Sequence, residues 1–171
     1  MLENLKNISC FIFDVDGVLT NGDVIVMPNG ILVRKMNIKD GYALQLAIKK
    51  GYKVWIISGG NSVEVQERLQ KLGVKEVHMG VNDKRSLVKK LVAEHHVQLD
   101  SVLYMGDDMP DYEAMKMAGV AACPKDAAFD IKSIASYISM ANGGEGCVRE
   151  VVEKVLKLNN HWDLEDHIPA R

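Results

Sequence analysis

The chain has 171 residues, a formal net charge of -2 at pH 7, and 47% hydrophobic and 26% charged residues. These values are typical of one globular domain with a full hydrophobic core. The weakly acidic balance gives no electrostatic reason to expect nucleic acid or an anionic membrane as a partner. No apolar run approaches the roughly 18 residues of a membrane span, and the N-terminus does not have the pattern of a signal peptide.

Three cysteines, Cys10, Cys123 and Cys147, are far apart in the sequence, and none belongs to a CxxC pair. An odd number of separated cysteines is more typical of buried free thiols in a reducing compartment than of disulfides or a zinc site. We therefore expect a cytoplasmic protein.

Strand-like apolar runs alternate with helical patterns along most of the chain, beginning with a strand at residues 10–13. Two β-rich runs around Pro28-Asn29-Gly30 then predict a hairpin, inserted at about residues 22–36. Further strands are predicted at 53–57, 76–79, 102–105, 120–122 and 137–139, and helices at 41–50, 62–72, 83–96, 109–118 and 148–159.

This alternation predicts an α/β fold, a Rossmann-like three-layer sandwich with a central parallel sheet. Residues 1–160 are expected to form a single domain, because no linker, internal repeat or low-complexity segment interrupts them. Residues 161–171 have no periodicity, so we expect an extended or mobile C-terminal tail.

Two carboxylates, Asp14 and Asp16, follow the first strand-like run and precede Gly17. The carboxyl ends of strands are where open α/β sheets bind ligands. Two acids so close repel each other unless a cation or a shared proton lies between them. The pattern therefore predicts a metal site, acid–base chemistry or both, although an Asx-type turn with two solvated acids would use the same residues.

Later strands also end in polar residues that suit a phosphate site. Ser58 is followed by Gly59 and Gly60, which allow backbone N–H groups to approach an anion closely. Lys84 begins a helix and can reach back over the sheet edge. Each feature alone also fits an ordinary loop, a helix cap or a solvated side chain. The fourth strand end supplies acids that, with Asp14 and Asp16, form an oxygen-rich cluster suited to Mg²⁺: Asp107, Asp108 and Asp111.

The order of these residues resembles the motifs of the haloacid dehalogenase-like phosphohydrolase superfamily over residues 11–122. This resemblance implies the superfamily's fold and covalent phosphoryl transfer. Asp at position 16 suits protonation of an alkoxide leaving group, which disfavours a pure dehalogenase. The four motifs are Asp14-Val15-Asp16-Gly17, Ser58, Lys84 and Gly106-Asp107-Asp108-Met109-Pro110-Asp111.

The same resemblance implies a role for each residue. Asp14 would attack phosphorus to form an aspartyl-phosphate. Asp16 would protonate the leaving oxygen and then deprotonate the attacking water. Ser58 and Lys84 would hold the phosphoryl oxygens. The implied Mg²⁺ ligands are Asp14, the Asp16 backbone carbonyl and Asp107. Asp108 or Asp111 would hydrogen-bond to these ligands or to their waters, or would orient Lys84.

The spacing of the motifs leaves no room for a cap domain, since 42 positions separate Asp16 from Ser58 and 23 separate Lys84 from Asp107. Among capless members, the chain resembles the 3-deoxy-D-manno-octulosonate 8-phosphate phosphatase family as far as Leu158. That resemblance implies a phosphorylated keto-sugar acid as substrate and a homotetramer whose hairpins form a small barrel. It is carried by residues 16–22, the hairpin, 40–42 and 143–150.

Close relatives hydrolyse the 9-phosphates of nine-carbon keto-sugar acids, namely 2-keto-3-deoxynononate or sialic acid. These relatives often have Glu where this chain has Gly60. This difference favours the eight-carbon substrate. Arg68 and Lys71, on the helix after the second motif, are candidates to meet the substrate carboxylate, and a solvated helical face is the alternative. Thr20 and Gly59 are further candidate substrate-binding residues.

Two other classes of protein share parts of this pattern. A phosphorylation-controlled receiver also has a phosphorylated Asp and a Lys on a parallel sheet. Its first strand is followed by two adjacent acids and a later strand by the phosphorylated Asp, whereas here Asp-x-Asp follows the first strand and Ser58 follows the strand at 53–57. A noncatalytic assembly module, as in relatives fused to cytidylyltransferases, would not need the acids and Lys84 intact. The Asp-x-Asp pattern and the preserved motifs favour the phosphatase over both alternatives.

Overall fold

A computed structural model describes residues 2–163 and 167–171 of the chain. The strands are β1 (Cys10–Phe13), β2 (Ile25–Val26), β3 (Leu32–Val33), β4 (Lys53–Ile57), β5 (Glu76–His78), β6 (Val102–Met105), β7 (Val120–Cys123) and β8 (Tyr137–Ile138). The helices are α1 (Leu2–Lys6), α2 (Ile38–Lys49), α3 (Val63–Lys71), α4 (Lys84–Glu94), α5 (Tyr112–Met115), α6 (Phe129–Ile134) and α7 (Cys147–Leu158).

Six strands form one sheet in the order β5-β4-β1-β6-β7-β8, and every neighbouring pair is parallel. The remaining two strands, β2 and β3, form an antiparallel hairpin outside this sheet. The strand order reverses between β1 and β6, as it does in a Rossmann fold. A crevice opens at the carboxyl ends of the strands at such a switch point, and ligands bind there.

Helices cover both faces of the sheet and create two hydrophobic cores. Phe11 and Phe13 of β1 face the core that contains residues of α1, α2, α3 and α7. Ile12 points to the other face, where residues of α4, α5 and α6 pack. Strands that are buried on both faces read as continuous apolar runs, which explains the sequence pattern of β1, β4 and β6. The predicted three-layer α/β sandwich is confirmed.

Several element bounds differ from the sequence predictions. The predicted helix at 109–118 is wrong in extent, because a 3-10 turn at Met109–Asp111 precedes the four-residue α5. Pro110 has no N–H to donate, and the Asp111 carboxylate is directed inward. Helix α1 was not predicted. The hairpin lies within the predicted insert, but its strands have only two residues each.

The described part of the predicted tail, 161–163 and 167–171, has no regular secondary structure. Trp162 packs against the core beside Tyr42, with their ring centroids 6.0 Å apart. The Gln45 amide donates a hydrogen bond to the carbonyl of Pro169 (3.3 Å). Residues 164–166 of the predicted tail lie outside the described residues. Among those that the structure describes, no helix has the length and apolarity that a membrane span requires.

Candidate active site

The first acid is positioned where β1 ends beside β6. The Asp14 N–H donates to the carbonyl of Met105 at 3.1 Å, which continues the pairing of the two strands. The chain then forms one wide turn over Val15–Leu19, closed by a hydrogen bond of 3.0 Å from the Thr20 N–H to the Val15 carbonyl. Gly17 adopts a φ of +87° within this turn, a conformation that favours glycine.

Ser58 follows β4, the strand next to β1, and its side chain is buried. The Ser58 N–H donates to the carbonyl of His78 at 2.9 Å, and its Oγ accepts a hydrogen bond of 3.1 Å from the Gly60 N–H. These bonds fix the loop that follows β4. Ser58, Gly59 and Gly60 consequently line the same pocket as Asp14.

Lys84 is the first residue of α4, and the Asp83 side chain caps that helix. Its Nζ atom lies 3.0 Å from Oδ2 of Asp14 and 2.7 Å from Oδ1 of Asp111. Only 2% of the Lys84 side chain is exposed, so its charge is balanced by carboxylates rather than by water. Tyr104 donates a further hydrogen bond of 2.8 Å to Oδ1 of Asp111.

Three acids converge beside Lys84. Carboxylate oxygens of Asp14, Asp107 and Asp111 lie within 4.8 Å of one another. Burial and the neighbouring charges of Asp111 and Asp108 raise the pKa of Asp107 to about 7. Burial, and then Asp111, also raise the pKa of Asp14, while Lys84 opposes the shift. A divalent cation would relieve this repulsion, and an all-oxygen donor set suits Mg²⁺.

Asp111 differs from the other two acids because it is fully buried and accepts three hydrogen bonds, whereas Asp14 and Asp107 retain some exposure. Oδ1 accepts from Lys84 and Tyr104, and Oδ2 accepts from the Asp107 N–H at 3.3 Å. This leaves Asp14 and Asp107 as the side chains that fit a metal, with Asp111 behind them. Asp108 is exposed, and its Oδ1 accepts from the Met109 N–H at 2.8 Å.

A pocket of about 370 Å³ contains the residues predicted for catalysis. It lies at the carboxyl ends of the strands, where we expected the acids to meet, and the strand order places it at the switch point of the sheet. Among the residues that line it are Asp14, Asp16, Ser58, Gly59, Lys84, Asp107, Asp108 and Asp111.

The other candidate substrate-binding residues do not line this pocket. Thr20 is buried, and its Oγ1 accepts hydrogen bonds from the N–H groups of Gly17 and Gly22. Arg68 lies against the start of α2, where a β-carbon added to Gly41 would be 3.5 Å from its Nη2. The Lys71 carbonyl accepts a hydrogen bond from Arg171 in the tail.

Arg34, which follows β3 in the hairpin insert, also contacts a site residue and was not predicted from the sequence. Its Nε donates to Oδ1 of Asp16 at 2.6 Å and its Nη2 donates to Oδ2 at 3.2 Å. No motif marks Arg34, and 18 positions separate it from Asp16. The return of the hairpin toward the first motif was the one feature that could have indicated the contact.

The fold and the site together define a haloacid dehalogenase-like hydrolase, and a sequence profile with that description matches residues 77–151. The chain is also 31% identical to the 3-deoxy-D-manno-octulosonate 8-phosphate phosphatase of Escherichia coli K12 over 163 residues, which is 95% of this chain and 87% of that protein. The chain therefore belongs to the 3-deoxy-D-manno-octulosonate 8-phosphate phosphatase family.

Solved structures agree with this assignment. The phosphatase of Moraxella catarrhalis, crystallised with magnesium, phosphate and 3-deoxy-D-manno-octulosonate (KDO), has a TM-score of 0.90 and 32% identity, covering 94% of this chain and 92% of that chain. The cobalt-bound phosphatase of Haemophilus influenzae has a TM-score of 0.88 and 28% identity, covering 92% of each chain.

Proposed function

We propose that this protein hydrolyses KDO 8-phosphate to KDO and inorganic phosphate in the presence of Mg²⁺. The observation that carries the proposal is the convergence of Asp14, Lys84 and Asp107 in one pocket at the switch point of the sheet. Family membership and the KDO-bound relative support the choice of substrate.

In the first half-reaction, a carboxylate oxygen of Asp14 attacks phosphorus and the bond to the sugar oxygen breaks. Asp16 donates its proton to the departing oxygen, so that a neutral alcohol leaves. Lys84 and Ser58 hold phosphoryl oxygens while charge redistributes. The observed contact of 3.0 Å between Lys84 and Asp14 supports this role, because the ammonium group opposes the rise in the pKa of Asp14 and so favours the ionised nucleophile.

In the second half-reaction, water attacks the aspartyl-phosphate and gives a proton to Asp16. Phosphate leaves and the Asp14 carboxylate is restored, with Asp16 protonated for the next cycle. The residues that would hold Mg²⁺ are the side chains of Asp14 and Asp107 and the backbone carbonyl of Asp16. When bound, the cation would neutralise charge on the phosphoryl group and on these acids.

We also propose a homotetramer, located in the cytoplasm. The hairpin supports the assembly, because its apolar side chains are exposed on a single chain and clusters of this kind mark interaction surfaces. Arg68 and Lys71 do not line the pocket of their own chain, and in the tetramer they would meet the carboxylate of a substrate bound to a neighbouring subunit. Thr20 would shape the turn that follows Asp14 and would not touch the substrate. The exposed hairpin residues are Val24, Ile25, Val26, Met27, Ile31, Leu32 and Val33.

The substrate assignment is tested by comparing kcat/KM for KDO 8-phosphate, a nine-carbon keto-sugar acid 9-phosphate and fructose 6-phosphate, each with Mg²⁺. We expect KDO 8-phosphate to exceed fructose 6-phosphate by about 100-fold or more, because discrimination comes from contacts to the acid and its hydroxyl groups. Equal kcat/KM values for KDO 8-phosphate and fructose 6-phosphate would contradict the assignment of KDO 8-phosphate as the substrate. Asp14→Asn serves as the blank, and a wild type that hydrolyses none of the three substrates above this blank would contradict the proposed phosphatase activity.

A further inference from the structure

The Asp16 carboxylate is held by the guanidinium of Arg34 in a two-point contact. Nε lies 2.6 Å from Oδ1 and Nη2 lies 3.2 Å from Oδ2. The third nitrogen, Nη1, donates to the Leu32 carbonyl at 3.0 Å. Arg34 is therefore fixed at one side by its own hairpin and at the other by Asp16, and such bidentate pairs are among the strongest and most directional in proteins.

The surroundings of this pair are tightly packed. Only 4% of the Arg34 side chain is exposed, whereas 33% of the Asp16 side chain is open to the pocket. A β-carbon added to Gly60 would lie 2.6 Å from Oδ2 of Asp16 and 3.0 Å from Nη2 of Arg34. The pair therefore occupies the space that any side chain at position 60 would need.

We propose that Arg34 is a positioning residue, which holds the Asp16 carboxylate over the pocket for the step in which water attacks the aspartyl-phosphate. The inference rests on the proposed function. Two hydrogen bonds from one guanidinium fix the orientation of the Asp16 carboxylate, which lines the pocket, and the second half-reaction requires that carboxylate beside the attacking water. In that step the water oxygen bonds to phosphorus, the bond from phosphorus to Asp14 breaks, and the water proton passes to Asp16.

The connection also gives the hairpin a part in catalysis. Arg34 directly follows β3, so the placement of the hairpin determines where the guanidinium lies. A shift of the hairpin would move the partner of Asp16 without touching Asp14, Lys84 or Asp107. Loss of Arg34 should therefore affect the proton transfers by Asp16 and spare the attack by Asp14.

p-Nitrophenyl phosphate separates the two half-reactions, because its leaving group departs without a proton and the first step then needs no acid. We would mix wild type, Arg34→Gln and the neighbouring-charge control Lys35→Gln with this substrate and Mg²⁺ in a stopped-flow instrument. Lys35 is exposed, and its replacement by Gln removes the same positive charge as Arg34→Gln. We expect Arg34→Gln to give a burst approaching one p-nitrophenolate per chain, followed by steady turnover about tenfold or more below wild type.

Lys35→Gln should match the wild type, and Arg34→Lys should be intermediate, because it keeps the charge and loses the two-point contact. If Arg34→Gln does not fold, Arg34→Lys carries the same comparison of burst with steady state. Turnover that falls without a burst would overturn the proposal, since the defect would then precede the phosphoenzyme. Unchanged turnover would overturn it as well. A wild type that does not turn over would contradict the proposed function itself.

Discussion

The Nζ atom of Lys84 lies 3.0 Å from Oδ2 of Asp14, so the start of α4 is joined to the end of β1 inside the pocket. Asp111 completes the arrangement on the other side of the ammonium group, at 2.7 Å. All three side chains are buried. Removing the Lys84 ammonium group would leave two carboxylates without the charge that balances them, so we expect Lys84 to stabilise the fold in addition to its proposed contact with phosphate.

The variant Lys84→Met tests this relationship. We expect it to lower the free energy of unfolding by about 3 kcal/mol, the usual cost of breaking a buried ion pair on one side. The measurement is urea unfolding at pH 7.5 without divalent cations. Lys90→Met is the matched control, because Lys90 is 67% exposed and its pair with Glu94 should contribute less than about 1 kcal/mol. Equal stability of the two variants would contradict the account.

Gly17 passes so close to Asp107 that a β-carbon at position 17 would overlap the Asp107 carboxylate. We expect Gly17→Ala to displace a metal ligand and to weaken Mg²⁺ binding about tenfold or more. Gly30→Ala is the control, since Gly30 has a similar φ of +81° and no described atom lies within 4 Å of an added β-carbon. Isothermal titration with Mg²⁺ distinguishes the two variants, and identical affinities would refute the predicted overlap.

Asp40 makes stability depend on pH. Oδ1 accepts a hydrogen bond of 2.7 Å from the Arg149 N–H, while Oδ2 finds no partner among the described residues. Burial raises the pKa of Asp40 to about 6, above its value of about 3.9 in an unfolded chain. The folded protein therefore binds this proton more tightly, and its stability rises as the pH falls from about 6 towards 4.

The pH dependence is isolated by comparing wild type with Asp40→Asn in urea unfolding at pH 7.5 and pH 5. We expect the free energy of unfolding of wild type, relative to the variant, to be about 1 kcal/mol higher at pH 5 than at pH 7.5. A relative stability that is constant, or that falls with acid, would show that Asp40 is not the group responsible.

Much of this fold was predictable because its central strands are continuous apolar runs. The predicted bounds of β1, β4 and β6 are those observed, and Ser62 and Asp83 mark the starts of α3 and α4 as side-chain caps. Predictions were weaker where tertiary contacts decide the backbone. The segment after Asp108 is a 3-10 turn followed by one short helix, because Asp111 is drawn inward to Lys84.

In the site, too, some residues were predictable from local sequence patterns and others were not. Asp14, Ser58, Lys84 and Asp107 were predicted together because each stands at the end of a parallel strand or just beyond it, and topology brings those ends to one edge. Arg34 lies on an insert whose position relative to the sheet no local pattern encodes. Placing Arg68 and Lys71 at the substrate requires an assembly, so their role stays a prediction.

The central claim is that phosphate is transferred to Asp14, and the variant Asp16→Asn tests it most directly. Without the residue that activates water, this variant should accumulate the phosphoenzyme when it is mixed with p-nitrophenyl phosphate and Mg²⁺. Mass spectrometry of acid-quenched protein should then find about one phosphoryl group per chain, located on Asp14 and absent from an Asp14→Asn/Asp16→Asn double variant. A phosphoryl group on any other residue, or none on Asp14, would contradict the account.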